Sequence, residues 1–151
     1  MHLPDEVATS ALGARLARVI SPGLSLYLRG ELGSGKTTLA RGLLRGLGYQ
    51  GRVKSPTYAL VELYTVSRLN LYHFDFYRFR EPKEWRDAGF NEYFNDASVC
   101  LVEWPEKAAG LLPAADLDIT LEFAGDGRDL SVRAGTESGK ACLHKLMQMP
   151  L

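Results

Sequence analysis

Gly30-Glu31-Leu32-Gly33-Ser34-Gly35-Lys36-Thr37-Thr38 sets glycines, a lysine and a pair of hydroxyls at the spacing G-x-x-x-x-G-K-[ST]. Those residue types suit one task, which is to hold a chain of phosphates. Glycines let the backbone curl so that successive N–H groups converge on an anion. The lysine reaches the β and γ phosphates, and the hydroxyl of Thr37 can ligate magnesium. Gly33, Ser34, Gly35, Lys36, Thr37 and Thr38 are therefore expected to contact a nucleoside triphosphate.

Hydrolysis of the triphosphate needs an acid beside the loop, at the carboxyl end of a strand. Two residues qualify. Glu103 closes the run Val99-Cys100-Leu101-Val102, which reads as a buried strand delivering a carboxylate. Asp75 lies among aromatics in Tyr72-His73-Phe74-Asp75-Phe76. Glu103 is assigned, with Thr37, to magnesium; Asp75 is assigned to orienting water or a switch segment. Lys36, Asp75 and Glu103 thus form the expected catalytic set. Ser55, Pro56, Thr57 and Tyr58 offer hydroxyls around a rigid proline, which suits a segment sensing the γ phosphate but equally an ordinary turn. Trp104 has two readings, a wall of the nucleotide site or a filler of the core. His73 reads as a satisfied structural histidine.

The elements around the loop agree with that chemistry. Leu24 to Leu28 reads as a buried strand, and Leu39, Leu43, Leu44 and Leu47 form one face of a helix from about Lys36 to Leu47, stopped by Gly48. A strand before the glycines and a helix after them is the context the motif requires, because the helix presents its N-terminal dipole to the same anion. Upstream, Val7, Ala11, Leu12, Leu16 and Val19 mark a first helix that ends at Ser21-Pro22-Gly23. Tyr58 to Tyr64 and Leu69 to Phe76 predict a hairpin across Thr65-Val66-Ser67-Arg68. Short helices are expected over Glu81 to Asp87 and after Pro105, with a helical turn between Gly89 and Asn95. Leu117 to Phe123 and Asp129 to Ala134 flank Gly125-Asp126-Gly127 as a second hairpin, and Thr136 caps a last helix reaching about Met147. The pattern predicts an α/β fold, a three-layer domain like those of P-loop nucleotide hydrolases, with a mixed, mainly parallel sheet plus β-hairpins.

Bulk composition narrows the classes. The chain has 151 residues, a length expected of one domain spanning residues 1–151. Its 18 basic and 18 acidic residues cancel, which removes the electrostatic case for sequence-independent nucleic-acid binding. Cys100 and Cys142 are the only cysteines, with no zinc-ligand spacing. No apolar run approaches the roughly 20 residues that span a bilayer, and the N-terminus does not read as a signal peptide. A cytoplasmic protein without membrane contact is the expectation.

Four blocks occur in order: Gly30 to Thr38, Val53-Lys54-Ser55-Pro56-Thr57-Tyr58, His73-Phe74-Asp75-Phe76-Tyr77-Arg78 and Leu101-Val102-Glu103-Trp104-Pro105. Together they resemble the TsaE (YjeE) family, the small bacterial ATPase of the machinery that makes threonylcarbamoyladenosine in transfer RNA. The last three blocks are more specific than the phosphate loop. The resemblance implies ATP and ADP as ligands, magnesium as cofactor, and weak activity that serves two partner proteins, TsaB and TsaD. It implies that Ser55 to Tyr58 is a first switch, that Asp75 is the acid of a second, that Glu103 and Thr37 are the magnesium pair, and that Trp104 lies beside the nucleotide. Thr9 and Arg128 are placed near the adenine by analogy with less similar segments. Phe76 stands where the family commonly has leucine, a volume-conserving change.

Two other classes remain in view. A small-molecule P-loop kinase would share the loop, but would add an arginine-rich lid, and the downstream arginines here are scattered. A nucleotide-dependent binding module without turnover would use the same acids. Guanine specificity is disfavoured, since the chain has neither N-K-x-D nor a D-x-x-G switch. Whether the chain touches transfer RNA directly is left open by the residues.

Overall fold

The computed structural model describes residues 1–66 and 69–150. Thirteen elements follow in chain order, two of them short 3-10 turns. They are β1 (His2–Leu3), α1 (Glu6–Ala17), β2 (Ser25–Arg29), α2 (Lys36–Gly46), β3 (Val61–Val66), β4 (Leu69–Asp75), α3 (Pro82–Ala88), a turn at Phe90–Tyr93, β5 (Ser98–Glu103), a turn at Pro105–Ala108, β6 (Leu117–Ala124), β7 (Gly127–Ala134) and α4 (Glu137–Gln148).

The seven strands form one sheet in the order β1-β7-β6-β2-β5-β4-β3. The central strands β6, β2, β5 and β4 pair parallel, while both edges close with antiparallel hairpins. The expected mixed sheet with a parallel centre and two hairpins is what forms. Both faces of the central strands are covered, so these strands carry near-continuous apolar runs. Alternation divides the side chains between two cores. Leu26, Leu28, Leu71, Val99 and Leu101 pack with Leu12, Leu16, Leu39, Leu43 and Leu44 of α1 and α2. Tyr27, Phe74, Cys100 and Val102 pack on the other face with Phe76, Phe79, Trp85 and Phe90. Both cysteines are buried in this packing, as free thiols.

This division decides what lies under the phosphate loop. On β4, Leu69 and Leu71 belong to the α1–α2 core, so His73 and Asp75 continue along that same face. On β5, Val99 and Leu101 do the same, and Glu103 follows. The register pairs Asp75 with Glu103. Where leucines would otherwise extend the core, three polar side chains stand at the carboxyl ends of adjacent parallel strands.

Several boundaries depart from the sequence reading. β1 was not expected; two residues are too short to show alternation, and it is recruited by β7 through His2↔Asp129 and Leu3↔Arg128. Tyr58 to Leu60 are not strand. Leu60 adopts φ 68°, its amide bonds the Pro56 carbonyl at 2.8 Å, and its own carbonyl accepts from the Asp75 amide at 2.9 Å. β3 consequently begins at Val61 and continues through Thr65 and Val66, two positions read as part of the turn. The other two, Ser67 and Arg68, lie outside the described residues. Phe76, expected in the strand, leaves the sheet after Asp75 while its amide bonds the Glu103 carbonyl at 3.1 Å.

Candidate nucleotide site

The loop is built by the β2-to-α2 transition. Gly33 and Gly35 take φ 82° and 107°, values that a side chain would strain, and Gly35 serves as the N-cap of α2 without a side chain between the helix end and the cleft. Lys36, only 5% exposed, folds back so that Nζ donates to the carbonyls of Gly30 at 2.5 Å and Glu31 at 3.1 Å. Nζ also lies 4.1 Å from the centroid of the Trp104 ring, a cation–π distance. Burial pushes the lysine below its ordinary pKa, against the opposing pull of the Glu103, Asp75 and Glu106 carboxylates. The buried Ser34 hydroxyl has no hydrogen-bond partner among the described residues.

Each acid is held by a different set of partners. Thr37 Oγ1 lies 3.3 Å from both carboxylate oxygens of Glu103, and His73 Nε2 lies 2.6 Å from Glu103 Oε2. Asp75 accepts from the Tyr77 amide at 2.9 Å through Oδ1, and from the hydroxyls of Ser55 and, at 3.3 Å, Thr57 through Oδ2. Both carboxylates are buried. Two desolvated acids side by side are costly unless hydrogen-bonded or joined by a cation.

Lys36, Thr37 and both carboxylates open on one cleft of roughly 310 Å³, whereas His73 is fully buried and does not line it. Its walls include Thr9, Gly33, Ser34, Gly35, Lys36, Thr37, Thr38, Ser55, Thr57, Asp75, Glu103, Trp104 and Arg128. A family model described as "Threonylcarbamoyl adenosine biosynthesis protein TsaE" matches residues 3–130. The chain belongs to the TsaE family. A Haemophilus influenzae protein named tRNA threonylcarbamoyladenosine biosynthesis protein TsaE is 43% identical over 144 residues, covering 92% of this chain and 91% of that protein. The Bacillus subtilis protein of the same name is 42% identical over 123 residues, covering 82% of this chain and 75% of its own length. Among solved structures, the crystal structure of Bacillus subtilis YdiB superposes with a TM-score of 0.82 at 32% identity, covering 95% of this chain and 90% of that one.

Within this TsaE fold, thirteen of the residues singled out from the sequence meet at the cleft, and Pro56, Tyr58 and His73 do not line it. Pro56 is buried behind the segment, and Tyr58 turns outward, 83% exposed, with Arg78 packed 4.5 Å from its ring. Trp104 is half-buried and holds φ 58°; it lines the cleft and also packs against the aromatic core on the second face of the sheet, so its position accommodates both readings. Thr9 is buried and turns its hydroxyl to the Asp5 carbonyl at 3.3 Å. The Arg128 guanidinium is engaged with the loop itself, donating to the carbonyls of Ser34 at 3.0 Å and Gly33 at 3.1 Å. His73, read from sequence as a satisfied histidine, is fully buried but only half satisfied, because Nδ1 has no partner among the described residues. Its place on the leucine face of β4 was the available signal.

Proposed function

We propose that this chain binds ATP with magnesium, hydrolyses it slowly by itself, and supports turnover of the complex that forms threonylcarbamoyladenosine in transfer RNAs reading codons that begin with A. The observation that carries the reading is the placement of Thr37 and Glu103 at 3.3 Å in the cleft that also holds Lys36 and Asp75. A hydroxyl and a carboxylate are the hard oxygen donors that magnesium takes, and few protein ligands suffice because phosphates and waters complete its shell. Thr37 and Glu103 would hold the ion. Bound there, magnesium would neutralise charge on the phosphate oxygens.

The chain's own residues account for the rest. The loop amides and the α2 terminus bind the phosphates. Lys36 exchanges its loop carbonyls for phosphate oxygens. Asp75 orients the attacking water or couples the phosphate end to Ser55 and Thr57, which it already holds. Thr9 and Arg128 are the residues proposed to lie near the base, and Trp104 lines the same cleft. Arg128 is the only arginine among the described residues lining the cleft, and it is spent on loop carbonyls, which favours an ATPase over a small-molecule kinase.

The partners proposed are TsaB and TsaD, in the cytoplasm; no helix among the described residues is long and apolar enough to cross a membrane. One domain carries the activity. The test is phosphate release with and without both partner proteins. Stimulation is expected, and a rate indifferent to them would favour an autonomous enzyme. Glu103→Gln should lower magnesium-dependent hydrolysis by about 100-fold while leaving nucleotide binding largely intact, a loss typical of removing one preorganised charge.

A further inference from the structure

His73 is fully buried on the face of β4 that also carries Leu69, Leu71 and Asp75, and it reaches Glu103, thirty residues on, at 2.6 Å. Its other nitrogen, Nδ1, has no partner among the described residues. A proton on Nδ1 would be a buried donor with nothing to receive it. The proton therefore sits on Nε2 and is donated to Glu103 Oε2.

Stability is a poor explanation for this pair. A buried polar pair with one atom unmet gives a fold little, and an apolar residue in such a place is often neutral or better. The benefit falls on Glu103. Its carboxylate stands between Thr37 on the loop side and His73 on the strand side, 2% exposed. A glutamate has three side-chain torsions, and the bond from His73 fixes the last of them. Thr37 alone does not, because its hydroxyl is equidistant from both oxygens.

We propose that His73 is a positioning residue for the metal site, holding Glu103 Oε2 so that the carboxylate stays turned toward Thr37. The inference rests on the reading of Glu103 as the magnesium-holding acid. Carboxylates that ligate metals are commonly oriented by such outer hydrogen bonds, whose loss costs about 10–100-fold in metal affinity.

Manganese serves as the probe, with free ion counted by electron paramagnetic resonance in the presence of ADP. His73→Leu should bind manganese about 10–100-fold more weakly, while ADP affinity measured in EDTA is unchanged. His73→Gln, whose amide can donate to Glu103, should recover most of the loss; His73→Asn, which is too short, should not. Wild-type metal affinity in His73→Leu and His73→Asn would overturn the proposal, and so would an equal loss of ADP affinity in EDTA, which marks a merely structural role. Wild-type metal affinity in Glu103→Gln would instead sink the reading of Glu103 itself. Should His73→Leu fail to fold, nitrogen-15 spectra of the wild-type histidines decide: a proton on Nε2 of His73 is expected, and a proton on Nδ1 alone overturns the assignment.

Discussion

Arg128 Nη2 donates to the carbonyl of Gly33 at 3.1 Å, tying strand β7 to a loop 95 residues earlier in the chain. Nε of the same guanidinium takes the Ser34 carbonyl at 3.0 Å, and the group lies 4.4 Å from the Phe123 ring. Two carbonyls aimed at one planar fork hold the loop's curvature from outside. Arg128→Ala should therefore lower stability by about 1–2 kcal/mol, the lower range for charge-assisted bonds at a half-exposed site. It should also weaken ATP binding, since the loop must then be ordered by the ligand. Lysine cannot reproduce the fork, so Arg128→Lys should recover little. Urea unfolding and calorimetric titration check both effects; tighter ATP binding in Arg128→Ala would mean that the contact restrains the loop instead of shaping it.

The lowered pKa of Lys36 gives triphosphate binding a pH dependence with a definite sign. Burial is the leading cause, so in the free protein the ammonium loses its proton at a lower pH than an ordinary lysine. Bound phosphates favour the charged form, so binding on the alkaline side takes up a proton. Affinity should hold steady below the lowered pKa and fall as pH rises through it. Calorimetry in two buffers of different ionisation enthalpy reads that uptake directly. Lys36→Arg, which stays charged, should bind more weakly at neutral pH but with a flat profile. Lys36→Ala should lose about 100-fold in affinity, equivalent to roughly 3 kcal/mol of charge-assisted bonding.

Helices α1 and α2 approach closely at Gly13, where a Cβ would stand 2.5 Å from the Leu39 carbonyl and 2.6 Å from the Leu43 amide. Both obstacles are backbone of the helix that begins at the phosphate loop. Gly13→Ala must push the helices apart, a change expected to cost about 3 kcal/mol and roughly 5–10 °C in melting temperature. A melt unchanged by this substitution would show that the helix pair slides freely, and that α2 does not hold the loop in place.

The phosphate loop was readable because its spacing is local: strand, glycines, lysine and helix lie within 24 residues, 24–47. Glu103 was readable as the polar end of an apolar run. What the sequence did not disclose depends on long-range partners. Arg128 meets the loop only because β7 pairs with β6, which pairs with β2. The strand reading of Tyr58 to Leu60 failed because Leu60 leaves the extended region to set its carbonyl on the Asp75 amide. Had the period of two been followed along β4, Leu69, Leu71, His73 and Asp75 would have fallen on one face, and a histidine among leucines would have called for a partner. That the partner is Glu103 follows from the β4–β5 register, which no local pattern encodes.

Asp75 holds the segment before β3 by three contacts, through the Ser55 and Thr57 hydroxyls to its side chain and the Leu60 carbonyl to its amide. Leu60 pays for this with φ 68°, a strain of about 1–2 kcal/mol per non-glycine residue. A strained segment fastened to one cleft carboxylate can exchange between two arrangements when the carboxylate finds another partner. Asp75→Ala should remove the side-chain bonds and leave only the backbone bond to the Leu60 carbonyl against the strain. Hydrogen exchange at the Leu60 amide, which now bonds Pro56, should then quicken by about 30–100-fold, matching the loss of roughly 2–3 kcal/mol of local restraint. Asp75→Asn, which keeps an acceptor for the Tyr77 amide, should fall between. Hydrolysis should drop in both variants more than ATP affinity does. Unchanged exchange at Leu60 in Asp75→Ala would show that the Pro56–Leu60 turn holds itself, and Asp75 would then act on water alone.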